Sequence, residues 1–221
     1  MPSRAIASLD LVVFDWDGTL ADSTSIIARA IQASAADLGL EVPSFQRASH
    51  VIGLGLREAL ARAVPDLREG QRADFAERYR AHYLAAEEAV RLFDGVVEMI
   101  DALRAGGATL AIATGKTRAG LERALATAGL QGCFAAIRCA DQAEPKPHPA
   151  MLLELMAETT VAPARTVMIG DTTHDLAMAA AAGTRAVAVA YGAHPRSELE
   201  ARAPERVFDS VEQLRTWLLG R

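Results

Sequence analysis

Near the start of the chain, the stretch VVFDWDGTLADS at residues 12–23 sets Asp15, Asp17 and Asp22 directly behind an apolar run. Carboxylates repel one another and lose free energy on leaving water, so such a group beside a buried segment calls for a compensating charge. Farther along stand Thr114, Lys146 within EPKPHP, and Asp171 with Asp175 four residues later; Thr114 and Asp171 also follow apolar runs. Asp15, Asp17 and Asp171 can gather oxygen atoms around a hard cation. Mg²⁺ prefers near-octahedral oxygen coordination and is usually held by one or two carboxylates together with substrate phosphate. Such a cation offsets the repulsion and lets a carboxylate approach an anionic phosphate. Aspartate is a covalent nucleophile in phosphoryl transfer, a reaction that rests on positioning and charge stabilisation. The residue types therefore point to Asp15 as the ionised nucleophile. Asp17 would protonate the leaving alkoxide and then activate water. Lys146 and the Thr114 hydroxyl would hold phosphoryl oxygens. Backbone N–H groups of Trp16-Asp17-Gly18 would assist as an anion-binding nest, with Gly18 permitting the tight turn.

Elements must bring these separated residues together. Residues 9–14 are short, apolar and followed by Asp and Gly, the pattern of a fully buried strand. The pattern returns at 109–113, 166–169 and 186–190, more weakly at 134–139 before Asp141, and last at 207–208. Helical patterns separate them at 96–105, 119–128, 150–158, 174–182 and 211–219. Strands alternating with helices predict βαβ units, an α/β fold with a Rossmann-like parallel sheet covered on both faces. Residues 23–90 contain no convincing strand and read as helices at 26–38, 57–63 and 71–88, a helical insertion behind the first strand. The expected organisation is a core of residues 1–20 plus 91–221 and a helical insertion of residues 21–90. In open α/β sheets ligands bind beyond the carboxyl ends of the strands, which is where Asp15, Asp17, Thr114 and Asp171 fall.

Composition narrows the classes. With 221 residues, about half of them apolar, the chain can bury a sizeable core, and its net charge is −5. Scattered basic residues and 5% aromatics give no nucleic-acid surface. An acidic chain repels anions on average, so a phosphate ligand needs local cations or a metal. Cys133 and Cys139 are too few for a disulfide framework and read as small hydrophobes beside a strand. The N-terminal segment does not look like a signal peptide. The Ala-rich stretch around 176–193 is broken by Gly183, Thr184 and Arg185, so it does not read as a membrane span. A cytoplasmic protein acting on a small phosphorylated metabolite is expected, with neither nucleic acid nor membrane as partner.

The ordered motifs resemble the haloacid dehalogenase-like hydrolase superfamily, within it the phosphoglycolate phosphatase-like branch. DWDGTLADS is similar to the first family motif, Thr114 to the second, Lys146-Pro147 to the third, and Gly170-Asp171 with Asp175 to the fourth. The resemblance implies Mg²⁺ held by Asp15, Asp171 and the backbone carbonyl of Asp17, with Asp175 supporting the site through Lys146 or metal-bound water. It implies that the insertion is a cap domain that closes over substrate and excludes water. It implies a phosphatase acting through an aspartyl-phosphate, phosphoglycolate being the leading substrate; a phosphomutase or an inorganic pyrophosphatase would use the same scaffold. A non-catalytic binding module could do without Asp15 or Asp17, yet both are present. In one departure, Gly115-Lys116 follows Thr114 where many relatives carry Asn, which brings an extra cation to the substrate region.

Around these residues other readings compete. Asp22 reads as a helix cap, or as a residue supporting the site from behind its ligands, rather than as a ligand itself, and Trp16 as packing beside the site. Gly53 and Gly55 in VIGLGLREAL suit a turn into a helix. Arg57 there reads either as a bidentate partner for a substrate carboxylate or as a surface arginine. His174 falls between Asp171 and Asp175 and by position is expected to line the site; His50 lies in the insertion, and the sequence offers no partner for His82, His148 or His194.

Overall fold

Residues 9–220 are described in the computed structural model of the chain; residues 1–8, on which much of the reading against a signal peptide rests, and Arg221 lie outside the described residues. The first strand, β1 (Leu11–Phe14), leads into an insertion of four helices: α1 (Thr24–Asp37), α2 (Phe45–Ser49), α3 (Leu56–Ala63) and α4 (Arg72–Ala86). The sheet then resumes with α5 (Val96–Ala105), β2 (Thr109–Thr114), α6 (Arg118–Ala128), β3 (Ala136–Cys139), α7 (Ala150–Thr159) and β4 (Thr166–Gly170). It finishes with α8 (Thr173–Ala182), β5 (Arg185–Val189), α9 (Arg196–Glu200), β6 (Arg206–Phe208) and α10 (Val211–Leu218). All six strands run parallel in the order β3-β2-β1-β4-β5-β6, the Rossmann-like α/β fold expected.

Side chains of β1 alternate between two cores. Val12 and Phe14 pack on one face with Met99 and Ile100 of α5, Leu121 of α6 and Leu214 of α10. Leu11 and Val13 pack on the other with Leu152 and Leu155 of α7 and Met178 of α8. Burial on both faces explains why the strands read as continuous apolar runs. The insertion has its own apolar cluster, in which Ile27 and Ile31 of α1, Leu60 of α3 and Phe75 of α4 pack together.

The chain leaves and re-enters the sheet region at one place. Ala21 bridges Leu92, the Asp22 N–H donates to the Arg91 carbonyl at 2.8 Å, and the Phe93 N–H donates to the Leu20 carbonyl at 3.0 Å. Asp22 is therefore not the helix cap. It is exposed, and Ser23 occupies the N-cap of α1. The helix read at 71–88 is α4 flanked by single 3-10 turns at Glu69–Gln71 and Glu87–Ala89. Helices α2 and α9, five residues each, show too little of a period to be read from sequence. Cys133 and Cys139 are free, and burial pushes the Cys139 thiol up to about 11. Among the described residues no helix is long and apolar enough to cross a membrane.

Candidate active site

Strand order fixes where a site can form. From β1 the chain builds outward to β2 and β3 on one side, then to β4, β5 and β6 on the other. The crevice at such a reversal, beyond the strands' carboxyl ends, is where open α/β sheets bind ligands. Asp15 stands one residue beyond β1 and Asp171 one beyond β4, the two strands that flank the reversal. The Asp15 N–H continues the ladder by donating to the Ile169 carbonyl at 2.9 Å.

Asp15, Asp171 and Asp175 converge, with carboxylate oxygens within 4.8 Å of one another and all three residues fully buried. Lys146 is also fully buried; its Nζ lies 2.8 Å from Asp15 Oδ1 and 2.6 Å from Asp175 Oδ1. Burial works against this ammonium, but the two carboxylates outweigh it and hold Lys146 above the usual lysine range. Three carboxylates against one ammonium leave two negative charges when all are ionised, the charge of one divalent cation. Burial, opposed by Lys146 and helped by Asp175, pushes Asp15 up to about 7. Burial, with Asp15 and Asp175 nearby, raises Asp171 well above the usual carboxylate range. Asp15 Oδ2 is buried with no hydrogen-bond partner. An orphaned carboxylate oxygen among hard donors with excess negative charge fits Mg²⁺.

Local structure aims each group. Asp175 sits in the first turn of α8 within a capping box. The Thr172 N–H and hydroxyl both donate to Asp175 Oδ2, at 3.1 and 2.6 Å, which leaves Oδ1 facing Lys146. Asp171 accepts from the Thr19 hydroxyl at 2.9 Å and the Ala193 N–H at 2.7 Å. A Cβ on Gly18 or Gly192 would fall 2.1 or 2.2 Å from Asp171 Oδ2, so bare backbone encloses that carboxylate on two sides. Gly18 also has φ +80°, a left-handed conformation that favours glycine. Its N–H donates to the Ala21 carbonyl, and the Trp16 N–H donates to Asp15 Oδ1. Those two amides are thus spent within the loop, which corrects the expectation that they cradle phosphate. Trp16 itself is buried in the sheet core.

Asp17 stands apart from the acidic cluster. Its Oδ1 accepts from the Ser23 hydroxyl at 2.7 Å and the Lys116 ammonium at 3.1 Å. Ser23, at the N-cap of α1, makes no side-chain cap bond; its hydroxyl serves Asp17 instead. Lys116 also donates to the Tyr83 hydroxyl at 2.9 Å. Burial opposes its charge, but Asp17 and Tyr83 hold it above the usual range. The cation anticipated for substrate is therefore paired within the protein. Gly115 explains the departure beside it: a Cβ there would meet the Gly53 carbonyl oxygen at 2.8 Å and that of Leu54 at 3.0 Å. The insertion loop rests on the strand end at a position with no room for a side chain. Thr114 is buried, ends β2, and accepts from the Lys116 N–H at 3.2 Å.

A cavity of about 200 Å³ opens beside Asp15, Asp17 and Thr114, with the insertion forming much of its wall. Arg57 does not line it. It is exposed on α3, one position on from the lining residue Leu56 and so turned about 100° round the helix. This favours the surface reading of Arg57.

A second cluster joins the insertion to the sheet. The Nε2 atoms of His174 and His194 donate to the His50 carbonyl at 3.1 and 3.0 Å. The His50 ring stacks on His194 at 4.0 Å, and its Nε2 lies 2.8 Å from Glu198. His174 thus faces the insertion. The three rings bring their nitrogens within 4.8 Å, but a metal does not suit His194. Its Nε2 carries a proton for His50, and its Nδ1 accepts the Thr173 N–H at 3.1 Å, whereas a metal-bound imidazole keeps its other N–H as a donor. Elsewhere His82 pairs with Asp37, and His148 Nδ1 accepts the Ala150 N–H.

His194, ordinarily near 6.5, is pushed down to about 4, chiefly by burial; its hydrogen bond to the His50 carbonyl and the Glu198 charge oppose the shift, and the charges of the His50 and His174 rings add to it. Protonation therefore favours the unfolded chain. The contribution is whole above pH 6.5 and lost as pH falls toward 4. His194→Gln keeps a donor for His50 without a titrating ring, so the variant should lose less stability between about pH 7 and about pH 4.5. Urea denaturation at the two pH values measures this; an unchanged difference would count against it.

Comparison with known proteins follows the same lines. The family profile described as haloacid dehalogenase-like hydrolase matches residues 12–189. A protein named probable phosphatase IndB from Dickeya dadantii (strain 3937) is 37% identical over 209 residues, covering 92% of this chain and 91% of that protein. A phosphoglycolate phosphatase from Agrobacterium fabrum (strain C58) is 32% identical over 222 residues, covering 97% and 93%. The crystal structure of a predicted phosphoglycolate phosphatase from Haemophilus somnus 129pt superposes with a TM-score of 0.82 at 26% identity, covering 94% of this chain and 96% of that one.

Proposed function

This chain belongs to the haloacid dehalogenase-like hydrolases, and on that premise we propose that it is a Mg²⁺-dependent phosphatase that hydrolyses a small phosphomonoester through an aspartyl-phosphate on Asp15. The observation that carries this reading is the convergence of Asp15, Lys146, Asp171 and Asp175 at the sheet reversal, beside a cavity that also touches Asp17 and Thr114. Phosphoglycolate, the substrate in the name of the Agrobacterium relative, is the first ester to compare. Residues 1–20 with 91–221 form the catalytic core in this proposal, and residues 21–90 the cap.

Asp15, Asp171 and the Asp17 backbone carbonyl would hold Mg²⁺, with Asp175 supporting them through Lys146. Bound there, the ion supplies charge neutralisation for the carboxylates and the phosphoryl group. Lys146 orients the Asp15 carboxylate from one side, and the Trp16 N–H holds the same oxygen. In the first half-reaction an Asp15 oxygen bonds to phosphorus while the bond to the leaving oxygen breaks, and Asp17 gives that oxygen its proton. In the second, Asp17 takes a proton from water as the water oxygen attacks phosphorus; phosphate leaves and the Asp15 carboxylate returns. Ser23 and Lys116 keep the Asp17 carboxyl clear of the acidic cluster for both transfers. The Thr114 hydroxyl, at the end of β2 and beside the cavity, would donate to a phosphoryl oxygen.

The test pairs metal dependence with trapping. Phosphate release from a generic aryl phosphate should require Mg²⁺ and stop in excess chelator. Asp17→Asn should slow turnover by about 10²- to 10⁴-fold and leave a phosphoryl adduct on the intact chain, seen by mass spectrometry. Metal-independent release, or an Asp17→Asn enzyme with wild-type turnover, would overturn the mechanism.

A further inference from the structure

Resting on the phosphatase reading above, we propose that the leaving group of the natural ester is an apolar, ring-bearing alcohol rather than a short hydroxy acid. The insertion walls the cavity beside Asp15 with aliphatic side chains, Ile27, Ile31, Ile52, Leu54 and Leu60 among them. The ammonium on that wall, Lys116, is already engaged by Asp17 and Tyr83. Arg57 lies outside. The lining cations Arg80 and Arg123 are exposed, which puts them at the opening, and Arg123 is engaged with Glu87. A carboxylate next to the ester carbon, as in glycolate, would lose its hydration against hydrocarbon, and the one lining cation without an ion pair among the described residues, Arg80, stands exposed at the opening.

Two further observations favour an apolar body. Leu56 and Leu84 are 44% and 41% exposed, and both line this cavity. They carry the apolar lining from the interior of the cavity out to its rim. Tyr79 and Tyr83, whose rings lie 6.2 Å apart at 28°, give the wall an aromatic flank. At about 200 Å³ the space is smaller than a drug-sized site of roughly 300–1,000 Å³, so one ring on a short chain suits it better than an extended molecule.

The experiment compares 2-phenylethyl phosphate, ethyl phosphate and phosphoglycolate with the Mg²⁺-loaded enzyme. The first two differ by a ring but share a primary alkoxide as leaving group, which keeps intrinsic reactivity nearly constant. 2-Phenylethyl phosphate should exceed ethyl phosphate by about tenfold or more in kcat/KM, mostly through KM, and phosphoglycolate should not exceed ethyl phosphate. Calorimetry with 2-phenylethylphosphonate and ethylphosphonate, which are not hydrolysed, should show the same preference in binding. Leu56→Asn and Leu84→Asn, both at exposed positions, should each cut the preference several-fold. Equal kcat/KM for all three esters, or phosphoglycolate as the best of them, would overturn the inference and leave the phosphatase reading standing. No release of phosphate from any of the three, nor from a generic aryl phosphate, would overturn the phosphatase reading itself and this inference with it.

Discussion

Asp15→Asn should abolish turnover, lowering kcat by about 10⁴-fold or more, while raising the melting temperature of the metal-free protein or leaving it unchanged. The two effects have one origin. The Asp15 carboxylate is fully buried, and desolvation is the largest cause of its rise to about 7. An amide carries no charge to desolvate and no repulsion toward Asp171 or Asp175. Its oxygen can still accept from the Trp16 N–H and Lys146 at the place of Oδ1. Its NH₂ then replaces Oδ2, the oxygen that has no partner. The proposed nucleophile is lost, because an amide oxygen is a poor one. Mg²⁺ should raise the melting temperature of the wild type more than that of the variant, since binding to the folded state alone stabilises it by mass action. Initial rates and thermal melts with and without Mg²⁺ measure all of this. Wild-type turnover by purified Asp15→Asn would defeat the proposed mechanism.

Lys146→Met should abolish turnover too, but with the opposite sign in stability. Methionine nearly matches lysine in length and volume, so packing is kept and the charge alone is removed. The ammonium lies within 2.8 Å of Asp15 and 2.6 Å of Asp175, with no exposure to solvent. Removing one partner of a buried ion pair typically costs about 3–5 kcal/mol, because the other charge stays buried and unpaired. A lowered urea midpoint in metal-free protein is the expected result. Adding Asp15→Asn to Lys146→Met should recover part of the loss, since fewer carboxylates then lack a counter-ion. A Lys146→Met protein as stable as the wild type would mean that the cluster is not held together by this charge.

These contrasts also show what could be read from the sequence. The sheet was legible because each strand is buried on both faces and so reads as an unbroken apolar run. Asp15 and Asp171 were legible because they follow those runs directly. Thr172 and Asp175 have capping-box spacing, which is local and visible. The burial of Lys146 is not local: it follows from carboxylates supplied by the end of β1 and the first turn of α8, and only the Lys-Pro motif hinted at it. The cap reading of Asp22 fails because Asp and Ser are both good caps; Ser23 takes the N-cap position, and its hydroxyl is turned toward Asp17. Arg57 was placed in the correct helix, but which way that helix faces depends on its apolar partners in the insertion. Nothing local marks the meeting of His50 with His174 and His194, whose bonds span 124 and 144 positions. Gly115 looked like a lost asparagine, and its reason is steric: another backbone lies against it.

The paired crossing at Ala21 and Leu92 has an evolutionary corollary. Because exit and return share one doorway, the helices between them can lengthen or shorten at little extra loop-closure entropy, a cost that grows only with the logarithm of length, and a segment with adjoining ends is the kind that tolerates exchange. The whole stretch can thus be treated as a cassette. Grafted onto a relative's sheet, it should carry its taste in alcohols along and leave the phosphoryl chemistry with the host, provided the recipient keeps a bare position where Gly115 receives the Gly53–Leu54 loop.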